Sequence, residues 1–390
     1  MKSITIVGGG LAGLTLGIGL RPRGVPVKIV EAAHYPRHRV CGEFISGRGL
    51  ITLERLGLLP ALYEAGARPA HTVAFYNRLA TTGTLPLPSE ALCCGRFQLD
   101  ATLAKEFRKL GGTLVEGTRW QGPFAKEGVI RATGRRLQPD ANGWRWFGLK
   151  VHARRIVLDA DLELHFLSNG YVGLCQLEDG KINICALLRS RSALPNLRRP
   201  WPSEFRGAAG SALAARLSHA EFDDSSFCSI AGLPFGSLTT TRSRRRKEAL
   251  TLFGSRISDL GFGEANLVTP AAAKAETSPH AFASERGVEM ECSIGDALGM
   301  IAPMTGNGMS MALESAELAL EPLKHYSDGT LPWQETQALI QARCRSMFSH
   351  RLNVAAWLHS AVFREALRSV MIQLLSRCPR LLRFLFSHTR

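Results

Sequence analysis

The chain lacks the patterns by which cysteine usually announces itself. Its nine cysteines include no CxxC pair and no Cys/His spacing suited to zinc, and nine is odd, so neither a disulfide framework nor a structural metal site is expected. A reducing cytoplasm is the natural compartment. Long apolar runs are missing too. The nearest, residues 4–20, is uncharged and follows a single lysine, like the core of a short signal peptide. It holds six glycines, shows no small-residue cleavage pattern, and falls short of the roughly 18–20 apolar residues of a membrane span. Acids are in deficit, with 33 Asp and Glu against 48 Lys and Arg, a formal charge of +15. That surplus suits an anionic partner such as nucleic acid, a membrane surface or a phosphorylated cofactor. There is no internal repeat. With 45% hydrophobic and 21% charged residues over 390 positions, disorder and fibrous architecture are excluded, and the length suits two ordinary domains or one large elaborated one.

Ser3-Ile4-Thr5-Ile6-Val7 is a short run rich in β-branched residues. Gly8-Gly9-Gly10-Leu11-Ala12-Gly13 follows directly and opens a helical pattern of Leu14, Leu16, Ile18 and Leu20, ended by Gly24. Residues 25–30 read as a second strand, with Glu31 at its tip, eighteen residues after Gly13. Strand, glycine turn, helix, strand and acid together make the unit that binds a dinucleotide. Gly8 permits the tight turn, Gly10 lets the backbone approach a pyrophosphate, and Gly13 lets helix and strand pack closely. Leu11 and Ala12 open the helix, whose N-terminal amides and dipole suit an anion. Glu31 is placed to accept from the adenosine ribose hydroxyls, and a carboxylate there disfavours the 2′-phosphate of NADP.

A second signal lies far downstream. Ser293-Ile294-Gly295-Asp296 is followed by Pro303, then by Gly306-Asn307-Gly308-Met309 at the start of a helical run over residues 310–323. This resembles the second FAD fingerprint of the flavoprotein monooxygenase and geranylgeranyl reductase superfamily, the para-hydroxybenzoate hydroxylase-like flavoproteins. The resemblance implies that Asp296, next to Gly295, binds the ribityl hydroxyls. It also implies that amides from Gly306 to Met309 face the flavin's pyrimidine edge and stabilise charge on the reduced ring. Tyr35-Pro36-Arg37-His38-Arg39-Val40-Cys41-Gly42-Glu43 is similar to the Pro-Arg-x-Lys/Arg-x-Cys-Gly motif of the geranylgeranyl reductase branch. Carried over, Arg39 lies along the cofactor's ribose and pyrophosphate, and Cys41-Gly42 sit near the isoalloxazine ring. Cys41 is the candidate catalytic group, against the plainer reading of a small buried hydrophobe. Arg96, in Gly95-Arg96-Phe97-Gln98-Leu99-Asp100, matches an arginine that touches FAD in that family.

The departures from the family are specific. Thr133 stands where the family has an Asp that meets both FAD and nicotinamide, which disturbs conventional NAD(P)H handling. Neither the prenyl-reductase Tyr-x-Trp-x-Phe-Pro nor the halogenase Gly-Trp-x-Trp-x-Ile-Pro motif is present, and Gly143-Trp144-Arg145-Trp146 reads as aromatic packing at a domain junction. Residues 236–290, with the basic run 242–247, form an atypical insert. No second GxGxxG exists, so NADH or NADPH, if it supplies electrons, binds transiently near the flavin.

The expected fold is α/β: a Rossmann-type FAD-binding domain interleaved with a β-sheet substrate domain, plus C-terminal helices. Residues 1–70, 95–147 and 288–330 would form the first, and 71–94 and 148–287 the second. Residues 331–390 would form a basic helical region. From Ile340 onward nine arginines face one acid, Glu365, among apolar clusters such as Leu374, Leu375, Leu381, Leu382 and Leu385. That suits either a helical cap on the FAD-binding domain or peripheral contact with an anionic bilayer, at the cytoplasmic side of the inner membrane. The absence of an aromatic platform or recognition motif argues against nucleic acid. Three functions compete. The first is an FAD-dependent monooxygenase acting on a lipophilic aromatic or polyene substrate, polyketide- or isoprenoid-like. The second is a geranylgeranyl-reductase-type saturation of alkenes, and the third a flavin-binding protein without turnover.

Overall fold

A computed structural model describes residues 1–78, 80–135, 144–191, 207–233 and 291–390. The insert over 236–290 lies outside the described residues. β1 (Ile4–Val7) pairs in parallel with β2 (Val27–Val30), and α1 (Leu11–Leu20) connects them. All ten residues of α1 are buried, which accounts for a helix with no charge and three glycines. The glycines mark close approaches. A Cβ on Gly17 would meet Phe107 and Ile29, and one on Gly19 would meet Leu320. The helix continues as a single 3-10 turn over Arg21–Arg23 and stops at Gly24, in the left-handed region at φ 78°, so β2 starts two residues later than the apolar run suggests.

β6 (Thr113–Val115), β7 (Val129–Arg131) and β13 (Cys292–Ser293) complete a parallel sheet in the order β13-β7-β1-β2-β6. Parallel neighbours need long crossovers. The crossovers are α1, α4 (Arg96–Lys109) and a long excursion into a second, eight-stranded sheet. That sheet runs β12-β8-β11-β10-β9-β4-β5-β3, antiparallel except where β4 meets β9. Its strands are β3 (Phe44–Ser46), β4 (Arg68–Tyr76), β5 (Leu85–Cys93), β8 (Arg145–Arg154), β9 (Leu162–Phe166), β10 (Gly170–Gln176), β11 (Ile182–Ser190) and β12 (Glu221–Ala231).

Two boundaries differ from the sequence expectation. β3 falls inside residues 1–70 and the start of β8 inside 95–147, yet both belong to the large sheet. β3 is three residues long, too short for alternation to register. Trp146, on β8, packs against His359 and Phe363 of the C-terminal region, and the Arg189 guanidinium lies 4.6 Å from the centre of the Trp144 ring.

α6 (Gly308–Asp328) covers α1, and α7 (Trp333–Val362) lies against the same core through Trp333, Ile340, Cys344, Phe348 and Leu352. The last two helices, α8 (Glu365–Arg377) and α9 (Pro379–Thr389), pack on the large sheet instead. There Ile372, Leu375, Leu381 and Leu382 join Val73, Leu164, Phe166 and Leu187. Among the described residues no helix is long and apolar enough to cross a membrane.

One buried ion pair fastens α7 to α6: Arg351 Nη1 donates to both Glu314 carboxylate oxygens at 2.9 Å, with the two residues 5% and 2% exposed. Removing this cation leaves the buried carboxylate with the half-exposed Arg48, whose Nε lies 3.5 Å away, at a cost of roughly 3 kcal/mol. Arg351→Met should therefore lower stability by about that amount in chemical denaturation. The double substitution Arg351→Met/Glu314→Leu should recover most of the loss.

Candidate active site

A cavity of about 650 Å3 opens where the β1–α1 turn, the loop after β7 and the N-terminus of α6 converge. The glycines of the first turn divide the work. Gly8 has φ 109°, and a Cβ there would lie 2.3 Å from the Ala132 carbonyl oxygen. A Cβ on Gly13 would lie 1.9 Å from the Gly8 carbonyl oxygen, so Gly13 seats α1 against β1 behind the cavity wall. A Cβ on Gly10 would meet nothing within 4 Å, because Gly10 faces open cavity with Leu11 and Ala12. No side chain caps α1, and its first turn carries no acid.

Glu31 lies 6% exposed at the end of β2. Its carboxylate accepts from the Gly9 amide at 2.7 Å and the Ala33 amide at 3.0 Å, and pairs with Arg37 at 2.9 Å. Burial alone would raise its pKa, but Arg37 and the two amides hold it below the usual carboxylate range. Arg37 Nε and Nη2 are buried without hydrogen-bond partners among the described residues. Arg39 lies 3.3 Å from Asp100 on the same wall. Arg96 also lines the cavity and makes a buried bidentate pair with Asp100, both contacts at 2.8 Å, so it is not the surface salt bridge that its position just after a loop could suggest.

The downstream fingerprint closes the other end. Asp296, Pro303, Gly306, Gly308 and Met309 line the cavity. Gly295, at φ 61°, stands behind them: a Cβ there would lie 2.8 Å from the Ala12 Cβ, so the two distant fingerprints touch at this point. Burial raises the Asp296 carboxyl pKa, against the pull of Arg135, Arg96 and Arg39. Asn307, just before α6, is buried with its Oδ1 unpartnered among the described residues, and α6 has no side-chain cap. Uncapped helix starts, unpartnered guanidinium nitrogens and a glycine open to the cavity fit a dinucleotide with its diphosphate against Gly10–Ala12 and the arginines.

A second cavity of about 240 Å3 adjoins the first and shares Cys41, Gly42, Phe44, Asp296, Met300 and Pro303 with it. The rest of its wall is mostly apolar, with Arg135, Thr305, Thr389 and Arg390 among its polar members. Leu164, Phe166 and Leu187 come from the large sheet, and Leu375, Leu382 and Leu385 from α8 and α9. These leucines of the last two helices thus turn inward, onto the large sheet and not onto the FAD-binding layer.

Cys41 stands between the two cavities. Its thiol accepts from the Glu43 amide at 3.4 Å, its carbonyl accepts from Asn183 at 3.0 Å, and burial pushes the thiol pKa up. Behind it lies a buried charge cluster that motif reading passed over. The Glu43 carboxylate accepts from the Arg96 amide at 2.9 Å and pairs with His152 at 2.7 Å and Lys150 at 3.4 Å, while Lys150 Nζ lies 3.1 Å from His38 Nδ1. Burial would raise the Glu43 pKa, but His152 and Lys150 lower it. Glu43 and Arg37 sit inside the motif around Cys41, and Lys150 lies between Leu149 and Val151 as the one Lys or Arg in the buried stretch 147–153 of β8. Those were the available signals. Trp120 and Phe124, which also line the larger cavity, left none. Thr133 is on that wall as well, with its hydroxyl 3.2 Å from Arg131 Nε.

Two substitutions separate packing from binding. Gly13→Ala drives a methyl into backbone and should lower the melting temperature of the protein with or without cofactor. Gly10→Ala should leave the apoprotein melt unchanged and weaken FAD binding, read by fluorescence titration, at least about tenfold through lost close approach. Acid supplies a third test. Burial, Lys150 and His152 push His38 down to about 4, and burial with Arg189 does the same to His359. The fold favours the neutral rings, so their contribution is complete above about pH 6.5 and is lost as pH falls towards 4. Melting temperature should decline over that window, and His38→Gln should flatten the decline.

Comparison with known proteins agrees with this geometry. The profile of the FAD binding domain family matches residues 1–143. No curated protein matches the chain by sequence. Among solved structures, PqsL, a probable FAD-dependent monooxygenase from Pseudomonas aeruginosa, is similar with a TM-score of 0.62 at 15% identity, over 95% of this chain and 99% of that one. The flavin-dependent brominase Bmp2 gives 0.62 at 14%, over 98% and 97%. The myxobacterial chondrochloren halogenase CndH gives 0.62 at 15%, over 92% and 82%. At such identities the likeness establishes the fold alone, and the family match is to an FAD binding domain over residues 1–143.

Proposed function

We propose that the protein is an FAD-dependent monooxygenase that inserts one oxygen atom into a lipophilic aromatic or polyene substrate held in the inner cavity. The observation that carries this reading is the apolar cavity, which shares its Cys41–Gly42 and Met300–Pro303 wall with the dinucleotide cavity. Bound FAD supplies two-electron redox chemistry and, once reduced, activates molecular oxygen. The chain's task is to position and to exclude water. Gly10, Arg37, Arg39 and Arg96 would hold the diphosphate, Asp296 the ribityl chain, and the start of α6 the pyrimidine edge. Leucines from α8 and α9 dry the space over Cys41, which strengthens every polar interaction at its mouth. Electrons come from NADH or NADPH binding transiently or from a separate reductase. Thr133, in place of the family's Asp, weakens the nicotinamide route.

The competing reading is saturation of an alkene. It draws on the Cys41-Gly42 motif, and a raised thiol pKa leaves Cys41 protonated and able to donate.

Purified protein reconstituted with FAD, chemically reduced and mixed with 18O2 and phenolic or polyene candidates tests the choice. A product carrying one 18O atom is expected, with Leu385→Trp lowering kcat/KM at least about tenfold by filling the cavity while FAD affinity holds. A product enriched only in two hydrogens, formed without oxygen and lost in Cys41→Ala, would replace this reading with alkene reduction. Failure to bind FAD would end both.

A further inference from the structure

Six of the nine arginines beyond Ile340 are exposed, and four of these, Arg364, Arg377, Arg380 and Arg383, belong to the outer side of α8 and α9. None of the four pairs with an acid among the described residues, and Glu365 is the only acid on these helices. Between them α8 exposes two large apolar side chains, Leu367 at 38% and Val370 at 51%. They lie three residues apart, hence on one face of the helix. Exposed apolar residues in a rim of unpaired arginines are the features by which a surface helix lies in the headgroup region of an anionic bilayer. The inward sides of the same helices, through Met371, Leu375, Leu382 and Phe386, roof the apolar cavity.

We infer that the α8–α9 pair is a docking face for an anionic lipid bilayer, with Leu367 and Val370 at the headgroup boundary and the four arginines on lipid phosphates. A duplex or single-stranded nucleic acid would satisfy the arginines but would leave Leu367 and Val370 in water, and these helices expose no aromatic platform for bases. The orientation sets the roof of the apolar cavity against the membrane. A substrate dissolved in lipid then reaches the cavity without crossing water, a corollary that rests on the proposed function, whereas the docking does not.

Vesicle sedimentation with the full-length protein tests it without turnover. Binding to phosphatidylglycerol vesicles is expected to exceed binding to phosphatidylcholine vesicles at least about tenfold and to fall in 0.5 M salt. Arg380→Glu/Arg383→Glu should reduce it by about tenfold or more. Lys28→Glu/Lys105→Glu, an equal charge change on β2 and α4, should reduce it far less. Leu367→Ser/Val370→Ser should weaken binding several-fold at unchanged melting temperature, since both sites are exposed. Equal loss in the two charge variants would overturn the assignment of the face. So would full retention in the serine variant, or tighter binding to duplex DNA than to phosphatidylglycerol vesicles. Absent FAD binding or absent oxygenation would leave the docking result standing, because vesicle binding is read without either.

Discussion

Everything around the two cavities depends on one buried carboxylate. Glu43 is fully enclosed and adopts a positive φ of 57°, a conformation that costs a non-glycine residue about 1 kcal/mol or more. It is held there because the carboxylate joins three groups on two elements at once: the Arg96 amide at the start of α4, and His152 and Lys150 on β8. α4 belongs to the parallel-sheet layer and β8 to the large sheet. Glu43 is thus a tie between two bodies that the chain enters and leaves alternately. It fixes the Cys41-Gly42 turn at the boundary between their cavities. Neutralising a buried acid with several partners is the only affordable way to keep it charged.

The consequence is a division of labour. The parallel sheet offers helix starts and arginines to an anionic, extended ligand, while the large sheet and the C-terminal helices offer hydrocarbon. Among the described residues, only the turn from Val40 to Phe44 and the loop from Asp296 to Gly306 contribute to both cavities. Chemistry that needs a cofactor edge against a dry substrate can occur only along that seam, whichever of the flavin reactions is run there.

Much of this was legible in the sequence, and for identifiable reasons. Gly8, Gly10, Gly13 and Glu31 lie within one local βαβ unit, where spacing alone fixes geometry. Asp296 and Gly308 could be recognised only through likeness to a family, since nothing local says that Gly295 will pack on Ala12. Tertiary pairing hid the rest. β3 is too short to show alternation, and Lys150 has meaning only once β8 lies beside the Glu43 turn. The inward leucines of the last two helices were visible as an apolar pattern. Periodicity could not say which body they would cover, and they cover the large sheet.

The inner cavity has walls of unequal stiffness. On one side stand β-sheet positions, Leu164 and Leu187 with a paired strand on both flanks and Phe166 with one. On the other stand three methionines, Met300, Met304 and Met371, whose unbranched thioethers change rotamer at little cost. A guest is registered against the stiff side while the soft side re-forms around it. For the proposed reaction, regiochemistry would then follow the pleat of the sheet, and tolerance of bulk the sulfurs.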